Sequence, residues 1–292
     1  MKHLIKTMIY KFGYELTLAP VSQSQYEKPI AFIHIAKCGG ISIDNALRRQ
    51  FAKPGEKRLC RTTSIAGSLA SFGQHVDTLE GSCDFSEHHL KQLQSILRYY
   101  LDLQQSYISG HWGVTPELLE QYADSTDFIT VLRDPVARFK SNYIFNKLSN
   151  GLSIMQPNKL NNDDLITEAN TILFGRRGWQ MANTQTAFIT GRYPKNQLDA
   201  QNLQMCFEQQ LKKFKVVGFL EKIDEFELSC QAKIGTKVSI KQRNKTNSLV
   251  NTQNKASKMV LLDYFSQKSV NNQLSLLCHY EQQNYLKALE NY

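Results

Sequence analysis

The chain lacks any long apolar run. Nowhere in its 292 residues do about 18 uncharged apolar residues follow one another, so no membrane-spanning helix is expected. The opening stretch, Met1-Lys2-His3-Leu4-Ile5-Lys6-Thr7-Met8-Ile9-Tyr10-Lys11, is cut by Lys6 and Lys11 before an apolar core of signal-peptide length can form. The six cysteines, at positions 38, 60, 83, 206, 230 and 278, include no Cys-x-x-Cys pair and no metal-ligand spacing. With no export signal they read as reduced thiols of a cytoplasmic protein. Internal repeats and collagen-like or coiled-coil biases are missing. So are the zinc-finger, RNP and basic-heptad signatures of nucleic-acid binders. The tripeptide Gly-Lys-Ser/Thr occurs nowhere, which excludes a Walker A loop.

What is present is basic. Lysine and arginine number 35 against 26 aspartates and glutamates, a net charge of +9. That balance favours an anionic partner (a nucleotide, nucleic acid, an acidic glycan or a membrane surface) without choosing among them. Apolar residues make up 41 % of the chain, enough at this length to bury a sizeable core.

Residues 1–28 form a basic lead-in. The run Pro29 to Ile35 then suits a buried strand, and Ile41 to Phe51 has helical spacing at Ile43, Leu47 and Phe51. Strand, Gly-containing turn and helix open a βαβ unit. Residues 52–86 mix Gly, Ser, Thr and charge and read as an exposed variable segment. Further strands are expected at 107–111, 127–132 and 215–220. Helices are expected at 87–105, 116–122, 136–148, 163–173, 180–190, 203–214 and across 259–290. The alternation predicts an α/β fold with a central parallel sheet flanked by helices. It reads as one domain over 1–292, with a motif-bearing core at 29–246 and a C-terminal helical region at 259–292. Ligands of such sheets sit at the carboxyl ends of the strands.

Two stretches carry chemistry. In Phe32-Ile-His-Ile-Ala-Lys-Cys-Gly-Gly-Ile-Ser42, a strand runs into a turn holding Lys37, Gly39 and Gly40, and Ser42 opens a helix. Helix N-termini expose unpaired N–H groups and a positive partial charge, and glycines let backbone approach an anion; phosphate binding follows. In Phe128-Ile-Thr-Val-Leu-Arg-Asp-Pro-Val-Ala-Arg-Phe-Lys-Ser-Asn-Tyr143, Arg133 ends a strand and Ser141 lies eight residues on, about two helical turns. The two can grip one phosphate from different elements, the guanidinium giving paired charge-assisted bonds.

Together these stretches resemble the PAPS-dependent sulfotransferases, with the carbohydrate and glycosaminoglycan-type members, bacterial ones included, nearest in pattern. The first is similar to their 5′-phosphosulfate loop (PKTGGTS), the second to their 3′-phosphate motif (LRDPxxRFxSxY). Weaker likenesses follow in order. Ile108-Ser-Gly-His-Trp-Gly113 resembles the SGH segment. Asn183-Thr-Gln-Thr-Ala-Phe-Ile-Thr-Gly191 resembles an NxQTRxLxG helix. Val217-Gly-Phe-Leu-Glu-Lys-Ile-Asp-Glu-Phe226 resembles a VGxxExxDxF strand, and Arg243-Asn-Lys-Thr246 a late loop over the cofactor. The chain departs from the pattern at Ala36, where Pro is usual, at Cys38 and Ile41, where Thr is common, and at Ala187, where Arg is frequent.

The resemblance implies a P-loop-NTPase-like sulfotransferase fold and transfer of a sulfuryl group from PAPS to an acceptor hydroxyl on a carbohydrate, such as a glycan, leaving PAP and needing no metal. It implies cofactor contacts from Lys37, Cys38, Gly39, Gly40, Ile41, Ser42, Arg133, Ser141, Arg243, Asn244 and Lys245. Lys37 is placed to oppose charge on the leaving oxygen. His111 is the candidate base, since imidazole titrates near working pH; a structural or substrate-binding histidine is the alternative. His34 reads as a core histidine. Trp112 reads either as a stacking platform or as core. The Arg176-Arg177 and Lys237 to Lys245 clusters read either as anion contacts or as solvated surface. His88, His89 and Cys83 make a poor ligand set for a metal. Two other functions stay open: a Mg²⁺-dependent kinase on a related fold, and a polyanion-binding protein without turnover.

Overall fold

The computed structural model describes residues 26–56, 58–148, 162–241 and 252–292. Its centre is a parallel sheet of β1 (Ile30–Ile33), β2 (Tyr107–Gly110), β3 (Asp127–Leu132) and β4 (Val216–Phe219), in the order β2-β1-β3-β4. Every residue of β1, β3 and β4 is buried, as expected when helices cover both faces, and the strands therefore read as apolar runs rather than alternating ones. Ile33 pairs with Gly110 on one side and Thr130 on the other, so β1 and its neighbours are held in fixed register near their carboxyl ends. The chain order reverses between β1 and β3, the topological switch point where such sheets bind ligands.

In chain order, the α-helices of the described residues are α1 (Gly40–Phe51), α2 (Arg61–Phe72), α3 (Leu79–Asp102), α4 (Pro116–Tyr122), α5 (Pro135–Leu148), α6 (Asn162–Phe174) and α7 (Arg176–Ala182). They continue as α8 (Thr184–Thr190), α9 (Gln197–Leu211), α10 (Ile223–Ile234), α11 (Thr252–Ser266), α12 (Lys268–Leu277) and α13 (His279–Asn291). Strand parity assigns the two faces. Ile30, Phe32, Tyr107, Ile129, Val131 and Val216 pack with α1 and α10. Ala31, Ile33, Ile108, Phe128, Leu132 and Val217 pack with α3, α4, α8, α9 and α13. A third apolar cluster joins α5, α6, α7, α11 and α12 through Phe139, Tyr143, Ile172, Met181, Leu261 and Phe265. No helix among the described residues is long and apolar enough to cross a membrane.

The four strands fall where the sequence predicts them. The described residues of 52–86 are mostly exposed, as expected, and they hold α2 and the first two turns of α3. Thr78 caps α3 by accepting the Gly81 N–H at 3.0 Å. The small side chains of Ser64 and Ser68 are the buried face of α2, and His89 and His88 bond Ser68 and Ser71 across the helix pair. A Ser/Thr/Gly-rich helix held by such tertiary contacts carries little propensity of its own. The helix expected at 180–190 is two helices, α7 and α8, which meet at Asn183. The one expected at 203–214 begins at Gln197, where the Asn196 side chain accepts the Asp199 N–H at 2.9 Å.

Gly40 opens α1 beneath the ring of His34. A Cβ at this position would lie 1.8 Å from that ring, which sits between Phe32 (centroids 5.7 Å apart) and His111 (4.4 Å). Gly40→Ala is expected to cost about 1–3 kcal/mol through overpacking, seen in thermal denaturation as a Tm lower by about 2–10 °C. The double variant His34→Ala/Gly40→Ala should recover most of the loss. A single variant that melts like wild type would mean the ring swings aside at no cost.

Candidate active site

The turn after β1 is built on two left-handed residues. Gly39 has φ 74°, and Lys37, unusually for a residue with a side chain, has φ 70°. A left-handed L-residue costs about 1–2 kcal/mol and persists only where its surroundings hold it. Here Arg133 Nη1 donates to the Lys37 carbonyl at 3.0 Å, and the Cys38 N–H donates to the Ile35 carbonyl at 3.3 Å. Gly39 caps α1 with no side-chain acceptor, and the first turn carries no acidic residue. The N–H groups of Gly40 and Ile41 therefore come before the first intrahelical bond, in a field no carboxylate of that turn offsets. The Ser42 N–H is already bonded to the Gly39 carbonyl at 3.1 Å.

Lys37 Nζ lies 3.8 Å from the centroid of the Phe145 ring. Phe145 stands one turn after Ser141 on α5, on the same helix face, so the ammonium reaches the stretch of α5 that carries Ser141. Burial, with the Arg133 charge adding to it, lowers the Lys37 pKa to about 8.

Arg133 leaves β3 half-buried, and its backbone is clamped by one side chain. Its N–H donates to Gln185 Oε1 at 2.8 Å, and its carbonyl accepts from Gln185 Nε2 at 3.0 Å. Its Nε is buried without a hydrogen-bond partner, the nearest anion being Glu221 Oε1 at 3.9 Å. Glu221 also accepts from the Asp134 N–H (3.3 Å) and the Tyr285 hydroxyl (3.1 Å). Asp134 Oδ1 accepts the Ala137 N–H at 2.8 Å, and Pro135 occupies the first position of α5, which needs no donor there.

His111 follows β2. Its Nδ1 lies 2.7 Å from the His34 carbonyl. A carbonyl only accepts, so Nδ1 carries the proton and Nε2 keeps its lone pair. Burial lowers the His111 pKa to about 4, so the ring is neutral at neutral pH. The strand end before it is tied down by Asp44, a buried carboxylate on α1 that accepts from Tyr107, Ser109 and Arg58. Arg48 donates to Ser109 as well, at 2.9 Å.

Lys37, Gly39 to Ser42, Arg133 and Ser141 thus gather at the β1/β3 switch point, and His111 stands across β1 beside His34. Several expectations change. The Cys38 thiol turns inward: it is buried, 3.7 Å from Gln185 Oε1, with its pKa pushed up to about 12 by burial, and the Cys38 N–H is taken by Ile35. His34 is not a core residue. It is half-buried over Gly40, and burial and His111 hold its pKa well below the usual range. Trp112 is fully buried core. Arg176 is held by Glu80, Asp84 and Glu87 at 2.7–3.1 Å, and Arg177 by Ser86 and Gln180, so this pair joins α7 to α3. Ile41 is exposed on the rim. Arg243, Asn244 and Lys245 lie outside the described residues, as does the lead-in before residue 26. Asp44, Gln185 and Glu221 were missed as site residues; a charged residue between Ile43 and Leu47, on the buried face of α1, was the one trace of Asp44.

No curated protein matches the chain. A sequence model of the sulfotransferase family matches residues 25–286, a span that includes all four strands, the Lys37 turn, Arg133, Ser141 and His111. The chain belongs to the sulfotransferase family, enzymes that transfer a sulfuryl group.

Proposed function

We propose that the protein moves the sulfuryl group of PAPS to an acceptor hydroxyl, on a carbohydrate, by in-line displacement. The observation that carries this reading is the pairing of Lys37 with Arg133. Two cations from adjacent strand ends are joined through a backbone carbonyl, beside an uncapped helix N-terminus. They repel each other, as the lowered Lys37 pKa records, and Arg133 Nε is left without a hydrogen bond. Both features fit a nucleotide with anionic groups at its two ends. The carbohydrate acceptor is supported by the branch of the family that the Lys37 and Arg133 motifs resemble.

PAPS brings a sulfuryl group bonded to a phosphate that can leave. The residues divide the remaining work. The Gly40 and Ile41 N–H groups and the Ser42 hydroxyl hold the 5′-phosphate. Arg133 and Ser141 hold the 3′-phosphate. Lys37 opposes the negative charge that grows on the bridging oxygen as the S–O bond breaks. His111 Nε2 takes the acceptor proton as the new O–S bond forms, its tautomer fixed by the His34 carbonyl. Afterwards the imidazolium returns its proton to solvent, which its low pKa favours.

Calorimetric titration of PAP without Mg²⁺ tests the donor. Wild type should bind, and Arg133→Ala should bind about 10–100-fold more weakly, the scale of lost hydrogen bonds to a charged group. No binding to wild type would refute the reading and turn attention to ATP with Mg²⁺ and to polyanions.

Lys37→Met should lower kcat by about 10²–10³-fold, as removal of a transition-state donor does, while PAP affinity changes far less. An equal loss in both would make Lys37 a binding residue only.

The pH dependence of kcat/KM reports the free enzyme. Activity should fall as pH drops through about 4, where His111 takes up a proton. It should also fall as pH rises through about 8, where Lys37 loses one. The basic limb of kcat should lie higher, because a bound anion favours charged Lys37. An acid limb near 6.5 that survives His111→Ala would exclude His111 as the base.

A further inference from the structure

We infer that Gln185 is a positioning residue of the donor site that aims Arg133 at the 3′-phosphate, with α13 as its anchor. The inference rests on the reading of Arg133 as the 3′-phosphate ligand. β3 ends at Leu132, so the Arg133 backbone has no strand partner at the point where its side chain must be aimed. Gln185 supplies one. Its amide accepts from the Arg133 N–H and donates to the Arg133 carbonyl, bonding both backbone groups of that residue as a neighbouring strand would. The same Oε1 receives the Cys38 thiol at 3.7 Å, and Cys38 follows Lys37. One buried amide therefore touches both halves of the site, and the Arg133 guanidinium closes the loop by bonding the Lys37 carbonyl.

Gln185 is itself fixed from behind. It lies in the first turn of α8, whose cap, Asn183, makes no side-chain capping bond. Glu281 of α13 fills that role. Its carboxylate, 1 % exposed, accepts the Gln185 N–H at 2.6 Å, the Thr186 N–H at 2.9 Å and the Thr186 hydroxyl. Asn284, one turn on, donates to Thr186 at 3.0 Å. Tyr285 reaches the opposite side of the Arg133 loop through Glu221. The helix that carries the Asn183–Gly191 motif, with Ala187 where an arginine is frequent, thus has a use that does not depend on position 187: it carries the amide that aims Arg133.

The test measures PAP and adenosine 5′-phosphosulfate, which lacks the 3′-phosphate, by calorimetry. The proteins are wild type, Gln185→Leu, Gln185→Glu, Arg133→Ala and the Gln185→Leu/Arg133→Ala double variant, each with its Tm. Gln185→Leu should weaken PAP by about 10-fold, the scale of a hydrogen bond lost at a buried group, and leave adenosine 5′-phosphosulfate within about twofold. The double variant should bind PAP no more weakly than Arg133→Ala alone, because coupled residues are not additive. Gln185→Glu, nearly isosteric, keeps the acceptor for the Arg133 N–H and loses the donor to its carbonyl. It should show the same selective loss to a lesser degree, and it carries the test if the leucine variant does not fold. Equal weakening of both nucleotides, or additive losses, would reduce Gln185 to a general structural residue and overturn the inference. A selective loss in Arg133→Ala with none in either Gln185 variant would overturn it too. No selective loss in Arg133→Ala would instead refute the donor-site reading beneath it.

Discussion

The site depends on one bond across the switch point of the sheet, from the Arg133 guanidinium to the Lys37 carbonyl. It requires β1 and β3 to be in register, which the Ile33–Thr130 pairing provides. It also requires Lys37 to adopt a left-handed backbone, which no lysine adopts unaided. Once made, it fixes two cations side by side where a solvated surface would let them separate. Their mutual repulsion adds to burial in lowering the Lys37 pKa.

Around that bond, side chains take over where the sheet stops. Backbone groups past the strand ends still need partners when buried, and polar side chains supply them. Thr130 Oγ1 donates to the Ile33 carbonyl at 3.0 Å, Gln185 pairs with Arg133, Asp134 caps α5, and Glu281 caps α8. On the β2 side, Asp44 accepts from the hydroxyls of Tyr107 and Ser109. A buried polar group with all its partners specifies one arrangement, and the loss of one partner leaves the other unsatisfied at a cost of about 1–3 kcal/mol. The mouth of the sheet is held by such contacts, whereas its body is held by apolar burial.

The two histidines show how burial sets chemical state. Desolvation is the leading cause that holds both rings below the ordinary histidine range, and the Asp44 charge offsets it only in part for His111. The His34 carbonyl then selects the His111 tautomer. The result is a neutral imidazole with a defined lone pair; across β1, burial and Arg133 bring the Lys37 pKa down to about 8. Both ionisations follow from placing the groups at a half-buried strand end.

The linear sequence determined the sheet. Runs such as Asp127 to Leu132 are mostly apolar and bounded by turn residues, and a strand buried on both faces needs little more than that. It also determined the Lys37 and Arg133 motifs, because a phosphate-binding turn is a local object: strand, glycines, helix start. What it left undecided was everything held by partners distant along the chain. The helix α2 is stabilised by serines meeting histidines of α3. The role of Gln185 appears only when Arg133, 52 residues earlier, lies against it, and that of Glu281 only when α13 returns to α8. The inward turn of Cys38 and the packing of His34 between Phe32 and His111 likewise depend on which neighbours close around them. Hydrophobic pattern and turn chemistry act over a few residues and can be read in order. Hydrogen-bond satisfaction of buried polar groups acts across the fold, and only the tertiary structure decided it.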